Sequence, residues 1–145
     1  MKQILSLFSI IFSVAILFYP QITIGELTGS PGGKTGSPMD NSDCTQCHTG
    51  ATPSTTSNIT SNIPASGYVP GTIYSITASI SGSLTLDPNG FEITCEENTF
   101  NTKTGLFLIT NSNSTQHVNN GSAVTHTAAG NSLNTWSFDW EAPIA

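Results

Sequence analysis

Charged side chains are scarce in this sequence of 145 residues. Only 8% of the residues are Asp, Glu, Lys or Arg, and nine acidic residues outnumber three basic ones. A chain so poor in Lys and Arg lacks the basic surface that binds phosphate backbones, so nucleic acid is not an expected partner. Polarity comes instead from Ser, Thr, Asn and Gly, a composition that is common in extracellular β proteins.

Cysteine is also scarce, yet two of the three cysteines stand in one motif. The run Cys44-Thr45-Gln46-Cys47-His48 has the C-x-x-C-H spacing of covalent c-type haem attachment. Two thiols at this spacing can each form a thioether with a vinyl group of the porphyrin, while the adjoining imidazole binds the iron. We therefore expect haem c on Cys44 and Cys47, with His48 as the proximal iron ligand.

Two other uses of a C-x-x-C pair stay open. A structural zinc site needs four ligands, and the remaining candidates, Cys95, His117 and His126, are scattered singly along the chain. A thiol–disulfide exchange site would precede a helix in a βαβ pattern, whereas this motif lies in a stretch rich in Ser, Thr, Gly and Pro. Haem attachment is the favoured interpretation.

A long hydrophobic run occurs at the N-terminus. Lys2 precedes an almost unbroken apolar stretch over residues 4–19, and Pro20 ends it, as in a secretory signal peptide. The stretch is shorter than the roughly 20 residues that span a membrane. We predict that residues 1–25 are a signal peptide or an uncleaved anchor, and that the protein is exported to the periplasm, the cell surface or the medium.

Two regions follow this leader. Residues 26–62 have little periodic hydrophobicity, which predicts a loop segment that carries the motif and is held by haem and by packing against the next region. Residues 63–145 contain short segments in which apolar and polar residues alternate, the pattern of half-buried strands. No helix is indicated there.

The alternation assigns side chains to the two faces of each predicted strand. Residues 105–110 are expected to form a strand that is buried on both faces, and residues 123–128 are expected to form a weaker strand. The inward-facing residues are predicted to be Tyr74, Ile76, Ala78 and Ile80 in one strand, Phe91, Ile93 and Cys95 in a second, and Trp136, Phe138 and Trp140 in the last. Glu92 and Glu96 are expected to face outward, and Cys95 is expected to be a core thiol.

These features predict an all-β fold, an immunoglobulin-like antiparallel β-sandwich preceded by a haem-bearing loop segment. The aromatic stripe of the last strand is expected to fill its core. Because the sequence stops directly after that strand, an apolar edge would be left unpaired, and we expect the sandwich to be truncated at its C-terminus.

Several segments, in this order, resemble a bacterial Reelin-domain-like module, also called the choice-of-anchor V domain. The segments are Gly29-Ser30-Pro31-Gly32, the motif with Thr49-Gly50, Gly67-Tyr68-Val69-Pro70-Gly71-Thr72-Ile73-Tyr74, Gly90-Phe91-Glu92-Ile93, Thr125-His126-Thr127 and residues 136–143. The resemblance implies a secreted or surface-attached β-sandwich preceded by a C-x-x-C-H segment and often followed by an anchoring or sorting region.

The sixth ligand of the iron would decide between electron transfer and the binding of small ligands. His126 is the preferred candidate because a strand holds an imidazole rigidly and its Thr-His-Thr setting fits the resemblance; the alternative is a solvent-exposed histidine on an edge strand. His117, in the predicted polar loop 111–121, is expected to be a surface residue. Met39 stands only five residues before Cys44 and would require a sharp reversal of the chain.

Three functions are consistent with the sequence. The leading hypothesis is an exported monohaem c-type cytochrome domain that transfers electrons outside the cytoplasm to an unidentified redox partner. The second is a surface adhesion or matrix module with structural haem or none, and the third is a haem sensor or peroxidase-like protein with an open sixth site. No hydrolase, zinc-protease or P-loop motif is present, so an electron carrier or binding module is favoured over an enzyme. Attachment to the cell surface or outer membrane and assembly into homo-oligomers are compatible with all three.

Overall fold

The computed structural model describes residues 26–48, 55–82 and 88–144, so the predicted leader lies outside the described residues. Within these ranges the regular secondary structure is almost entirely β-strand. The strands are β1 Thr55–Ser61, β2 Ile73–Gly82, β3 Glu92–Thr94, β4 Leu106–Leu108, β5 Thr115–Val118, β6 Ala123–His126 and β7 Thr135–Glu141. Short 3₁₀ turns occur at Cys44–Gln46, Asn119–Gly121 and Gly130–Ser132. No helix in the described part of the chain has the length and apolar character of a membrane span.

The strands form two sheets in which every neighbouring pair is antiparallel. One sheet has the order β1-β2-β7-β4, and the other has the order β3-β6-β5. In the first sheet Ile76 lies opposite Phe138, so the apolar faces of β2 and β7 coincide. The predicted all-β antiparallel sandwich is thus confirmed.

The core lies between the two sheets. Trp136 and Phe138 of β7 are 1% and 0% exposed, and Val124 of β6 is fully buried in the same core. Phe107 of β4 meets Phe138 edge to face, with ring centroids 5.8 Å apart. The indole N–H of Trp136 donates to Gly130 O at 2.9 Å, so the largest core side chain is buried without an unpaired donor. The predicted aromatic core is confirmed.

Two strands lie where the sequence predicted loops. Residues 55–61, part of the predicted loop segment, form β1, which pairs with β2 along its whole length. All seven β1 residues are exposed, so no apolar alternation reveals the strand. β5 occupies the middle of the predicted polar loop 111–121, and it too shows no alternation of apolar and polar residues. Because β1 belongs to the first sheet, the sandwich begins before residue 63.

Two predicted strands differ from the structure in their burial. The doubly buried strand expected at 105–110 is the short edge strand β4, in which Leu106 is 52% exposed and Phe107 is buried. The weaker strand expected at 123–128 is β6, the central strand of its sheet, with all four residues buried. The position of a strand within its sheet decides its burial, and hydrophobicity alone does not give that position.

Candidate functional site

Two glutamates hold the N-terminal segment against the sandwich. Glu92 accepts hydrogen bonds from the backbone N–H groups of Gly33 at 2.9 Å and Lys34 at 3.1 Å, and also from the Ser30 hydroxyl. Glu96 accepts from the N–H of Met39 at 3.2 Å. The sequence placed both carboxylates on the outward face, but it did not reveal that they bind a chain segment there.

A buried ion pair fixes the same segment farther along. Lys103 Nζ lies 2.6 Å from Asp40 Oδ1, and the Asp40 side chain is 5% exposed. Burial opposes ionisation of Asp40, but the hydrogen bonds from Lys103 and Thr35 outweigh it and hold the pKa below its usual value. The motif therefore extends from a segment anchored at several points by polar contacts.

The motif itself forms a tight turn. Asp43 caps the 3₁₀ turn by accepting a hydrogen bond from the Thr45 N–H at 2.8 Å, and the His48 N–H donates to Cys44 O at 2.9 Å. The hydroxyl and N–H of Thr45 hold the pKa of Asp43 below its usual value. Residues three apart are eclipsed in a 3₁₀ turn, so Cys44 and Cys47 project to one side.

That side borders a cavity of about 440 Å³ between the segment and the sandwich. Its lining residues from the segment include Cys44, Cys47 and His48, and those from the sandwich are Gly90, Phe91 and His126. A neighbouring cavity of about 530 Å³ shares Cys44, Lys34 and Phe91 with it and extends toward β1 and β2. Cavities of this size commonly hold cofactors.

Phe91 connects this cavity to the hydrophobic core. Its ring centroid lies 4.9 Å from that of Trp136 and 6.0 Å from that of Phe138. The apolar wall of the cavity is therefore a rigid extension of the core, because moving Phe91 would disturb two fully buried aromatic rings.

His126 closes the sandwich side of the cavity. It ends β6 and is 7% exposed. Its Nδ1 accepts a hydrogen bond from the Phe91 N–H at 3.3 Å and lies 3.3 Å from Thr125 Oγ1. A Cβ at Gly90 would lie 2.7 Å from Nδ1, so only glycine leaves room for the ring. The alternative of a solvent-exposed histidine on an edge strand is wrong, because β6 is central and the ring is buried.

The other two candidates for the sixth ligand lie outside the cavity lining. His117 is an exposed residue of β5, and its Nε2 is 2.9 Å from Phe107 O. Met39 is 57% exposed. Neither lines the cavity. Of the three, the structure brings only His126 to the cavity that holds Cys44, Cys47 and His48.

The Cys44 thiol is poorly suited to disulfide exchange. The Cys44 side chain is exposed at the cavity mouth, yet partial desolvation raises its pKa, and the negative charges of Glu92 and Asp43 raise it further. Exchange cysteines have lowered pKa values. Within the described ranges, no group of three or more His, Cys, Asp or Glu side chains is arranged to hold a metal ion, which gives no support to the zinc alternative. The third thiol, Cys95, is half-buried against the core as predicted, and burial raises its pKa.

Two solved structures are similar to this chain. One crystal structure of the human F-spondin reeler domain is 26% identical, with 61% of this chain and 66% of that chain covered and a TM-score of 0.49. A second is 23% identical, with 61% and 68% covered and a TM-score of 0.51. The chain thus spans just under two thirds of the first of these domains. No curated protein matches it.

A family model gives the assignment. The model of the Reeler domain matches residues 42–145, which include the whole motif and every strand described above. This range covers well over half of the chain and agrees with the antiparallel sandwich seen in the structure. The chain therefore belongs to the Reeler domain family.

Proposed function

We propose that this chain is an exported Reeler module that carries haem c on Cys44 and Cys47, with His48 as the proximal iron ligand, and that it transfers electrons outside the cytoplasm. The observation that carries this proposal is that both thiols, His48 and the buried His126 border the same cavity. A C-x-x-C-H motif next to such a cavity has the donor set that c-type haem requires.

The residues around the cavity fit the chemistry of the group. Both thiols are exposed and therefore accessible for covalent attachment. Phe91 and Pro31 would supply apolar contact, and Lys34 would supply a positive charge that suits the carboxylates of a porphyrin. Bound haem would supply reversible one-electron exchange at its iron. The chain's own part is to hold the motif turn against a wall formed by β3 and β6.

The family supports the cellular location in this proposal. Reeler domains are typically extracellular modules, which agrees with an exported chain. We also propose that the chain is a bacterial choice-of-anchor V module with a C-x-x-C-H segment. The proposed chemistry is the same whether the protein is periplasmic, attached to the cell surface or secreted.

Expression of the full chain with a c-type haem-maturation system tests haem attachment. We expect a band that stains for haem after denaturing electrophoresis, together with a pyridine haemochrome spectrum of the c type. Cys44→Ala combined with Cys47→Ala should abolish both signals. The matched control is Cys95→Ala, which removes the half-buried thiol outside the motif and should retain the haem. Unstained wild-type protein would refute the proposal.

A second function, a surface adhesion or matrix module without haem, is favoured by the family match over residues 42–145. In that case the sandwich alone makes the contacts, and the double cysteine variant should bind cells or matrix as the wild type does. Binding lost together with the haem would count against this second function, whereas binding retained by stably folded, haem-free protein would support it.

A further inference from the structure

The two polar neighbours of His126 Nδ1 require opposite protonation of that nitrogen. The backbone N–H of Phe91 can only donate, so its 3.3 Å hydrogen bond requires a lone pair on Nδ1. The hydroxyl of Thr125 donates to Phe91 O at 2.7 Å. Its single proton is thereby used, and toward Nδ1, 3.3 Å away, it can only accept. Only one of these two contacts can be a hydrogen bond at a time.

The cost of losing each contact decides between the two tautomers. The Thr125 hydroxyl already accepts from the Ser30 N–H at 2.9 Å, so it loses little without a third partner. The Phe91 N–H is part-buried beside the ring, and leaving a desolvated donor unpaired carries the larger penalty. Nδ1 is therefore the acceptor, and in the neutral ring the proton resides on Nε2.

Iron binding through Nε2 would need the other tautomer. A histidine ligand coordinates through an unprotonated nitrogen and usually donates its second N–H to an acceptor. Here the backbone of Phe91 presents a donor to that second nitrogen. Gly90 lies close against the ring and limits its room to turn away from Phe91.

We infer that His126 would act toward bound haem as a hydrogen-bond donor and not as an iron ligand, so that a small anionic or diatomic ligand bound at the iron would accept its hydrogen bond. This inference rests on the proposed haem attachment, departs from the expectation that His126 binds the iron, and favours ligand binding over electron transfer as the use of that haem. In this arrangement the buried histidine would stabilise an exogenous ligand bound at the iron.

Azide and carbon monoxide test the inference on the haem-loaded chain. We expect the reduced spectrum to change on addition of carbon monoxide. We expect the ferric protein to bind azide, with an affinity about 10-fold weaker in His126→Leu, the loss expected for one hydrogen bond. His126→Gln keeps an N–H donor and should remain near the wild type. A ligand-inert, six-coordinate wild type that becomes reactive only in His126→Leu would overturn the inference while leaving haem attachment intact.

The tautomer of His126 can also be determined in protein that carries no haem. Two-bond nitrogen–proton correlations of the full chain produced without haem maturation should show the His126 proton on Nε2, with the signal assigned by its loss in His126→Gln. A proton on Nδ1 would overturn the inference. Failure of the proposed function is distinguished from both results because the matured wild-type protein would then carry no haem stain.

Discussion

Replacement of Glu92 by alanine should release the segment that carries the motif. The carboxylate accepts from two backbone N–H groups and one hydroxyl of residues 30–34. A hydrogen bond to a charged group contributes roughly 1.5–3 kcal/mol. Because the freed donors of this half-exposed site regain water, we expect a combined loss of about 2–4 kcal/mol in the free energy that holds the segment in place.

Amide hydrogen exchange measures this release directly. A loss of about 2 kcal/mol corresponds to roughly 30-fold faster exchange at the N–H groups of Gly33 and Lys34. The strands β2 and β7 should keep their protection, because Glu92 lies outside that sheet. The variant should also lower the pKa of the Cys44 thiol, since the negative charge of Glu92 raises it. Site-resolved alkylation as a function of pH detects that change.

The matched control is Glu97→Ala. It removes the same charge from an exposed carboxylate that accepts from the Thr102 hydroxyl at 2.6 Å. Equal exchange rates at Gly33 and Lys34 in the Glu92 and Glu97 variants would refute the conclusion that the Glu92 carboxylate anchors the segment.

Three further outcomes follow from the core, the ion pair and the cavity. Phe138→Ala should lower the free energy of unfolding by about 3–5 kcal/mol, and Leu106→Ala by less than about 1 kcal/mol, because only the first residue is fully buried; urea titrations that give equal losses would contradict this. Although burial opposes ionisation of Asp40, its hydrogen bonds hold the pKa below 3.8. Its carboxylate therefore stabilises the fold above about pH 4 and loses this effect as the pH falls through the lowered pKa, so Asp40→Asn should flatten the acid limb of the melting-temperature profile, and an unchanged limb would count against the pair. Gly90→Ala should displace the His126 ring and so speed exchange of the Phe91 amide, which donates to that ring. Unchanged protection of this amide would contradict the conclusion that only glycine leaves room for the ring.

The strand faces were predictable because burial of one face imposes an alternation of apolar and polar residues on the sequence. Tyr74 and Ile76 in β2, and Trp136 and Phe138 in β7, show this alternation and point inward as expected. β1 has exposed residues throughout, so its pairing with β2 depends on backbone hydrogen bonds and on no apolar pattern. That strand could be found only from the partner it pairs with.

The motif on which the haem proposal depends could also be read from the sequence, since haem attachment would require two thiols and an imidazole at fixed short spacing. The tertiary structure alone decided what lies across the cavity from Cys44. It brought His126 there from a distant strand, and it set the Phe91 N–H against the ring nitrogen that iron ligation would need protonated. Contacts between residues far apart in the chain depend on how the two sheets pack, and no local pattern records that packing.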